Sequence, residues 1–369
     1  MLYHCCLILL VAATESPSLS PEVLAADAAL AELRRDTNVL DDLTPLNEAS
    51  ERRRFEAARK AGAFYEPCFE YEQLPADLAL RLQRLGEWRA PEGPVGELLE
   101  GVRRELQLKC ELVQARGTDR FEAIGAALYG EPAPETIALA EAWLALPSEE
   151  AGVGPALSRE EVEQAMWASL KSTGLTGWTV RWVAEMTSQA SVLPVSKVLK
   201  LNPARSFTRE DVLRLAVHEL GVHARRAEAA AALPLESCRS GFAGYLATEE
   251  GLALYLEEQA GVLTTLQRRR YAARAWAVAH RQLGFGALYE RLRAWHLSAD
   301  DAWTVCVRIK RGLVDTGRPG GFVKDHVYLS GYREVAAYVA AGGSTDRLLA
   351  AGKSPLRLLP AVAALLPHR

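Results

Sequence analysis

The stretch Leu215–Arg226, LAVHELGVHARR, carries the pattern that decides the fold class of this chain, because it contains His218, Glu219 and His223. Two histidines four residues apart on an α-helix lie about 40° apart around its axis and can reach one metal ion, whereas five residues give about 140°. These histidines are five apart, so they can share a metal only where the helix is distorted. A π-bulge absorbs one extra residue and would return both rings to one side, and Gly221 between them favours such a distortion.

A carboxylate that could complete a metal site follows within Thr248–Glu258, TEEGLALYLEE. A glutamate near the start of a helix, directly before a glycine, is how gluzincin-type sites supply their third ligand. Glu250 directly precedes Gly251 and is the better candidate; Glu249 is the fallback, because adjacent helical residues point about 100° apart. We expect Gly251 to let this helix approach the histidine-bearing helix closely. The alternatives are two unrelated histidines on an amphipathic helix and a solvated acidic turn at a helix N-terminus.

The segments around these motifs predict a mostly helical α+β protein. Two strand-like runs, Thr179–Met186 and Ser191–Leu201, precede the histidines, and Pro194 marks an edge or a bulge in the second run. Thr208, with Asp211 three residues later, forms a capping box that starts the histidine-bearing helix. We therefore expect a small sheet that packs on that helix, which would be the active-site helix.

Composition excludes several classes of protein. The 369 residues are 49% hydrophobic and 24% charged, with a formal net charge of -4, which excludes a disordered chain and gives no electrostatic reason to expect nucleic acid. The apolar run at 6–13 is too short for a transmembrane segment, and no basic residue precedes it. We therefore expect a cytoplasmic protein rather than one secreted through this run. The six cysteines are scattered, and we expect most of them to be reduced.

Five short motifs resemble those of the microtubule-associated tyrosine carboxypeptidase family, whose bacterial members carry HExxxH and EGLA motifs. In chain order they are TPLN at 44–47, FEY at 69–71, HELGVH at 218–223, TEEGLA at 248–253 and KDHVYLSG at 324–331. Val222 stands where the family often has threonine. The resemblance implies a gluzincin-like metallopeptidase fold, a zinc ion, and removal of a C-terminal aromatic residue, Tyr or Phe, from a peptide or protein tail.

Carried over residue by residue, the resemblance makes His218, His223 and Glu250 the zinc ligands and Glu219 the base that activates water. The fourth zinc position would stay open for water or the scissile carbonyl. We expect four parts along the chain: an N-terminal arm or possible signal at 1–20, a helical region at 21–150, a zinc peptidase core at 151–345 and a C-terminal tail at 346–369.

A carboxypeptidase also has to hold the terminal carboxylate of its substrate, and arginine suits this task because its planar guanidinium matches two oxygens. Arg308, Lys310, Arg311 and Lys324 are the candidates, and they fall in a stretch, 308–332, that is rich in glycine and should be mostly loop. Tyr328, or His326, could support the oxyanion that forms during hydrolysis.

Two other functions fit the same metal ligands. A zinc endopeptidase or amidohydrolase of other specificity would have an open groove on both sides of the metal, whereas basic residues beside it favour a carboxypeptidase. A non-catalytic, metal-binding regulatory protein would have no use for a general base, so Glu219 argues against it.

Overall fold

Helices make up most of the computed structural model, which describes residues 19–35, 37–147, 154–184, 186 and 188–365. The first eight helices are α1 Pro21–Arg35, α2 Val39–Asp42, α3 Glu48–Lys60, α4 Leu78–Glu87, α5 Pro94–Gln114, α6 Phe121–Tyr129, α7 Pro134–Leu144 and α8 Arg159–Ser172. Three strands follow, β1 Thr179–Trp182, β2 Ala190–Leu193 and β3 Val198–Leu201. The predicted α+β class with a predominance of helix is confirmed. Most of the predicted N-terminal arm, residues 1–18, lies outside the described residues.

The remaining helices follow the sheet. They are α9 Arg209–Leu215, a π-helix Ala216–Ala224, α10 Arg225–Ala231, α11 Glu236–Ser240, α12 Tyr245–Gln259, α13 Thr265–Ala279, α14 Phe285–Ala294, α15 Ala299–Lys310, α16 Val327–Ala340, α17 Thr345–Ala350 and α18 Leu359–Ala363, with 3-10 turns at Lys324–His326 and Leu356–Leu358. Helices α9 and α10 and the π-helix run on without a break, and we call residues 209–231 the histidine helix. Among the described residues, no helix has both the length and the apolar character needed to cross a membrane.

The sheet differs from its prediction in one respect. Its order is β1-β3-β2, with β3 parallel to β1 and antiparallel to β2. The run 191–201 was expected to be one strand, but it folds into a hairpin whose turn contains Pro194 and Lys197. Proline cannot donate to a ladder, and Lys197 adopts a left-handed φ of 51° while its N–H bonds the Pro194 carbonyl at 3.3 Å, so the chain reverses there.

The sheet packs on the histidine helix, as predicted. Leu199 and Leu201 of β3 share a buried cluster with Leu215 and Leu220 of the helix. The helix starts at the predicted capping box: the Thr208 hydroxyl accepts the Asp211 N–H at 3.2 Å, and the Asp211 carboxylate accepts the Thr208 N–H at 3.1 Å. The sheet thus supports one side of the helix that carries both histidines.

Helix α12 packs most closely against α16, whereas the sequence predicted that Gly251 would face the histidine helix. We expected Gly251 to permit close approach to the histidine helix, but a Cβ at Gly251 would lie 2.1 Å from the carbonyl carbon of Gly331. A Cβ at Gly331 would in turn lie 1.8 Å from the carbonyl oxygen of Ala247. The two glycines therefore let the backbones of α12 and α16 touch. That expectation was wrong, because the near neighbour of Gly251 is α16.

The stretch 308–332 is less irregular than predicted. Helix α15 continues to Lys310 and α16 begins at Val327, so the loop is confined to the residues between Lys310 and the 3-10 turn. Most of its glycines lie in that loop, but Gly331 is inside α16, where it serves the helix contact. Lys310 anchors the loop, because its buried ammonium donates to the carbonyls of Arg281, Arg318 and Gly320, each at 2.9 Å.

Segments that are distant in sequence pack together in two large buried clusters. Phe55 and Phe69 of the N-terminal region pack edge-on against Phe285, and Phe55 also packs against Trp303. A second buried cluster joins helices α1, α4 and α5 to residues of the C-terminal helix α18, including Val362. Side chains of the helical N-terminal region therefore pack into the same buried cluster as residues of α12 to α16.

Candidate active site

The π-helix brings the two histidine rings together. Their centroids lie 4.8 Å apart with an interplanar angle of 75°. In a π-turn, residues five apart are about one turn apart, as residues four apart are in an α-helix. The distortion predicted from the five-residue spacing is therefore confirmed, and it spans Ala216–Ala224.

Glu250 completes a group of three possible metal ligands with His218 and His223, whose ligand atoms all lie within 4.8 Å of one another. Its Oε2 is 3.5 Å from His218 Nε2 and 3.8 Å from His223 Nε2, which is longer than a good hydrogen bond. Zinc bond lengths of about 2.0–2.1 Å and tetrahedral angles separate neighbouring ligands by about 3.3 Å, close to these values.

The environment of Glu250 favours a cation between these side chains. Burial alone would raise the pKa of Glu250, but the adjacent His218 and His223 outweigh it and lower that pKa to about 2. Its Oε2 is buried and has no hydrogen-bond partner among the described residues. Two imidazole nitrogens and one orphaned carboxylate oxygen form a donor set that suits zinc.

A second carboxylate orients each histidine. His218 Nδ1 lies 2.7 Å from Glu257 Oε1, and His223 Nδ1 lies 2.8 Å from Glu249 Oε1. With an Nδ1–H donated to each carboxylate, the Nε2 lone pairs are left for a metal, which is the usual arrangement around zinc. Glu249, the fallback ligand of the sequence analysis, thus contacts the far side of the ring of His223.

Buried arginines back these two carboxylates. Arg226 is 0% exposed, and its Nη1 donates to Glu249 Oε2 at 2.7 Å. Arg214 stands 3.6 Å from Glu257 Oε1 through its Nη1. Arg226 therefore belongs to the buried network behind His223.

Glu219 lies beside His218 on the π-helix and is 7% exposed. Its carboxylate makes no hydrogen bond to any residue in the described part of the chain. Both of its oxygens are therefore available to a water molecule or a substrate N–H.

A group of cations surrounds Asp325, and Lys324 and Arg308 of this group also interact electrostatically with Glu250. Arg308 donates to both oxygens of buried Asp325, through Nη2 at 2.9 Å and also through Nε. Lys324 interacts electrostatically with Asp325 and with Glu250, and burial lowers its pKa. Burial and then the nearby Arg308 lower the pKa of Arg311 to about 10. Three of the four predicted cations thus share one region, but the guanidinium of Arg308 is largely engaged by Asp325. The prediction for Lys310 was wrong, because its buried ammonium donates to three loop carbonyls.

Arg274, which the sequence analysis missed, belongs to the same region. Its Cζ lies 5.3 Å from the ring centroid of Tyr271 and 5.4 Å from that of Tyr328, and those two rings stack with centroids 5.5 Å apart. Arg274 and the ammonium of Lys324 donate no hydrogen bond to any residue that the structure describes. Both cations are therefore available to an anionic ligand.

Tyr328 and His326 occupy different environments. Burial, and after it the charge of Glu250, raises the pKa of Tyr328 well above its ordinary value, so its hydroxyl stays protonated and can donate. His326 is engaged elsewhere: its Nδ1 lies 2.9 Å from the Ser330 hydroxyl and its Nε2 lies 3.2 Å from the Gly130 carbonyl oxygen. Of the two candidates, Tyr328 has the free polar group.

Simple spacings could have found most of the missed residues. Glu257 follows Glu250 by seven residues and so lies on the same face of α12. Arg214 precedes His218 by four residues on the histidine helix, and Tyr271 and Arg274 are three apart on α13. That α13 lies beside the site, however, depends on the packing of helices and carries no local signal.

Comparisons with known proteins identify the family of this chain. A family model described as "Microtubule-associated tyrosine carboxypeptidase" matches residues 53–368. Human microtubule-associated tyrosine carboxypeptidase 1 is 30% identical over 193 residues, which cover 48% of this chain and 39% of that protein. The rat protein of the same name is 29% identical over the same coverage, so the match spans well under half the length of these relatives. Since the family model covers most of the sequence, this chain belongs to the microtubule-associated tyrosine carboxypeptidase family.

Proposed function

We propose that this chain is a zinc-dependent carboxypeptidase that removes a C-terminal aromatic residue, Tyr or Phe, from a peptide or protein tail. The observation that carries the proposal is the juxtaposition of two features. His218, His223 and Glu250 form a possible metal-binding group, and Lys324 interacts electrostatically with Glu250. Arg274 lies against the ring of Tyr328, and neither cation donates a hydrogen bond to a described residue. A metal next to an anion-binding region is what cleavage of a terminal peptide bond requires.

His218, His223 and Glu250 would hold the zinc in a gluzincin-like arrangement. Bound zinc supplies Lewis acidity: it polarises the scissile carbonyl and lowers the pKa of a bound water to about 7. The protein contributes the orientation, because Glu257 and Glu249 hold the imidazoles by their Nδ1 atoms.

Glu219 acts as the general base in this proposal. It adjoins His218, and its carboxylate has no competing hydrogen-bond donor within the described residues. It would accept the proton of the attacking water at a carboxylate oxygen and deliver that proton to the departing amine. The Tyr328 hydroxyl, which stays protonated, would donate a hydrogen bond to the oxyanion.

Lys324 and Arg274 would bind the terminal carboxylate of the substrate, with Arg308 and Arg311 adding positive charge nearby. Asp325 offsets part of that charge and fixes the Arg308 guanidinium. The cations still outnumber Asp325, which favours an anionic ligand. The stacked rings of Tyr271 and Tyr328 would form an apolar wall for an aromatic side chain.

Membership of the family supports the reaction class, since the human and rat relatives are named as tyrosine carboxypeptidases. The partner that we propose is therefore the C-terminal tail of a peptide or protein. The described cysteines Cys68, Cys110, Cys238 and Cys306 are free thiols, as the sequence predicted, which suits the proposed cytoplasmic location.

The test is incubation of the zinc-loaded protein with peptides that vary only at the C-terminal residue, followed by mass spectrometry. We expect loss of one residue from peptides that end in Tyr or Phe, and no cleavage of the same peptides with an amidated C-terminus. Internal cleavage, or equal cleavage of amidated peptides, would instead support the endopeptidase or amidohydrolase. Glu219→Gln is the matched control: it should retain zinc and lose about 10²–10⁴-fold in turnover, because general-base catalysis contributes that much.

A further inference from the structure

The segment that follows α17 lies against the candidate metal centre. We call residues 351–356 the C-terminal strap. The Lys353 N–H donates to the Cys238 carbonyl at 3.0 Å, and the Lys353 carbonyl accepts the Phe242 N–H at 2.9 Å. The Leu356 N–H donates to the hydroxyl of Thr248 on α12 at 2.8 Å, immediately before Glu249. The strap is thus hydrogen-bonded both to residues that precede α12 and to the first turn of α12.

A continuous line of buried hydrogen bonds runs from the strap to one of the histidines. The Ser354 carbonyl accepts from Arg226 Nη2 at 2.8 Å, and Arg226 Nη1 donates to Glu249 Oε2 at 2.7 Å. Glu249 Oε1 lies 2.8 Å from His223 Nδ1. Ser354 and Arg226 are both 0% exposed, and Glu249 is 3% exposed. Water therefore cannot readily replace any partner in this line.

The two histidines differ in how firmly they are held. On the His218 side, Glu257 Oε2 has no hydrogen-bond partner among the described residues, and Arg214 stands 3.6 Å away. On the His223 side, both oxygens of Glu249 are engaged. Arg226 has only one protein acceptor besides Glu249, because its buried Nε lacks a partner in the described chain. The direction of the guanidinium therefore depends on the Ser354 carbonyl.

We infer that Arg226 is a positioning residue for His223, and that the C-terminal strap fixes Arg226 through the Ser354 carbonyl. The C-terminal strap, which the sequence analysis assigned to a C-terminal tail at 346–369, would then help to orient a metal ligand. This inference rests on the proposed metal-dependent function. It adds a role for Ser354, which lies more than 100 residues from the ligands in sequence.

The first experiment measures zinc affinity of the full chain after removal of metal, by competition with a chromophoric chelator. Arg226→Met should weaken zinc binding about 10–100-fold, the usual effect of losing an outer partner of a metal-binding histidine. Arg269→Met is the matched control, because Arg269 is also buried and donates to the carbonyls of Leu144, Leu146 and Trp295. We expect the control to lose stability but to keep the zinc affinity of the wild type.

The second experiment tests the strap itself. Thr248→Val removes the acceptor of the Leu356 N–H with little change in volume, and it should weaken zinc binding about threefold to tenfold. In the Arg226→Met background it should have no further effect on zinc affinity, because the strap acts through the missing guanidinium. Cobalt-loaded Arg226→Met protein should also show a changed visible absorption spectrum.

The outcomes separate this inference from the proposed function. Wild-type protein that binds no zinc would overturn the proposed function and the inference with it. Wild-type protein that binds zinc, together with folded Arg226→Met that binds it equally tightly, would overturn the inference alone. If Arg226→Met does not fold, Thr248→Val decides: unchanged zinc affinity would overturn the role of the strap, and weakened affinity with an unchanged circular dichroism spectrum would support it.

Discussion

Glu249 and Glu250 are neighbours in sequence, and exchanging each for glutamine should rank the two variants in one order for metal binding and in the reverse order for stability. Glutamine keeps the size of the side chain and removes the charge. Glu250 offers its unpartnered oxygen to the metal position, whereas Glu249 is held between His223 and Arg226. The two variants therefore separate a ligand from an orienting residue on adjacent positions of one helix.

The expected magnitudes follow from these contacts. Four-ligand zinc sites in small peptides contribute about 10–16 kcal/mol, or about 2.5–4 kcal/mol per ligand, so Glu250→Gln should weaken zinc binding about 10²–10³-fold. Glu249→Gln keeps all three ligands and should weaken it about 10–100-fold. In the metal-free protein the order reverses. Glu249→Gln leaves fully buried Arg226 without its ionised partner, which costs about 3–5 kcal/mol. Glu250→Gln leaves both imidazoles with their Nδ1 partners and should cost less.

Two measurements check this reversal. Zinc dissociation constants come from competition with a chelator, and the free energy of unfolding of the metal-free variants comes from urea titration followed by circular dichroism. We expect Glu250→Gln to be the weaker zinc binder and Glu249→Gln to be the less stable protein. If Glu249→Gln binds zinc more weakly and is also the more stable of the two, then Glu249 is the ligand and the assignment made here is reversed.

Two further variants test the surroundings of the site. Asp325→Asn should lower the free energy of unfolding by about 3–5 kcal/mol at neutral pH, because it strands Arg308. Burial alone would raise the pKa of Asp325, but Arg308 holds that pKa well below its ordinary 3.8. The stability difference between the variant and the wild type should therefore be complete above pH 3.8 and shrink as the pH falls below it. A stability difference that persists unchanged at lower pH would contradict the pairing. Gly331→Ala should cost about 1–3 kcal/mol in urea unfolding, because its Cβ would lie 1.8 Å from the Ala247 oxygen. Gly86→Ala on α4 is the control: its Cβ would meet nothing within 4 Å and its φ is not left-handed, so it should not lower stability.

The candidate metal group was predictable because its signals are local. The spacing of His218 and His223 is incompatible with one metal on an ideal helix, and that conflict itself indicated the π-helix. The capping box at Thr208 fixed where the helix begins. Glu250 was favoured over Glu249 by its position before Gly251; it lies in the group of possible ligands, and its role as a ligand stays a prediction. The comparatively weak β-signals still sufficed to predict a sheet beside the helix.

The errors came where long-range packing decides the outcome. Gly251 was assigned to the wrong helix contact, because the sequence does not tell which helix crosses α12 at that point. The run 191–201 looked like a single strand, since its β-branched residues continue on both sides of Pro194. Arg274 reaches the site from α13, and Ser354 reaches the buried network from beyond α17. No spacing near either residue indicates its destination.

The π-helix and three of the four glutamates of α12, Glu249, Glu250 and Glu257, depend on one another geometrically. A π-turn is less favourable than an α-turn, so it persists only where the surroundings hold it. Here the holding groups come from α12: Glu250 lies between the two Nε2 atoms, Glu257 holds His218 and Glu249 holds His223. Positions 250 and 257 lie on one face of α12, and position 249 lies about 100° away, where it meets the more distant side of the second ring. HExxxH together with EEGxxxxxE is therefore a more discriminating signature than either motif alone, because each supplies the geometry that the other requires.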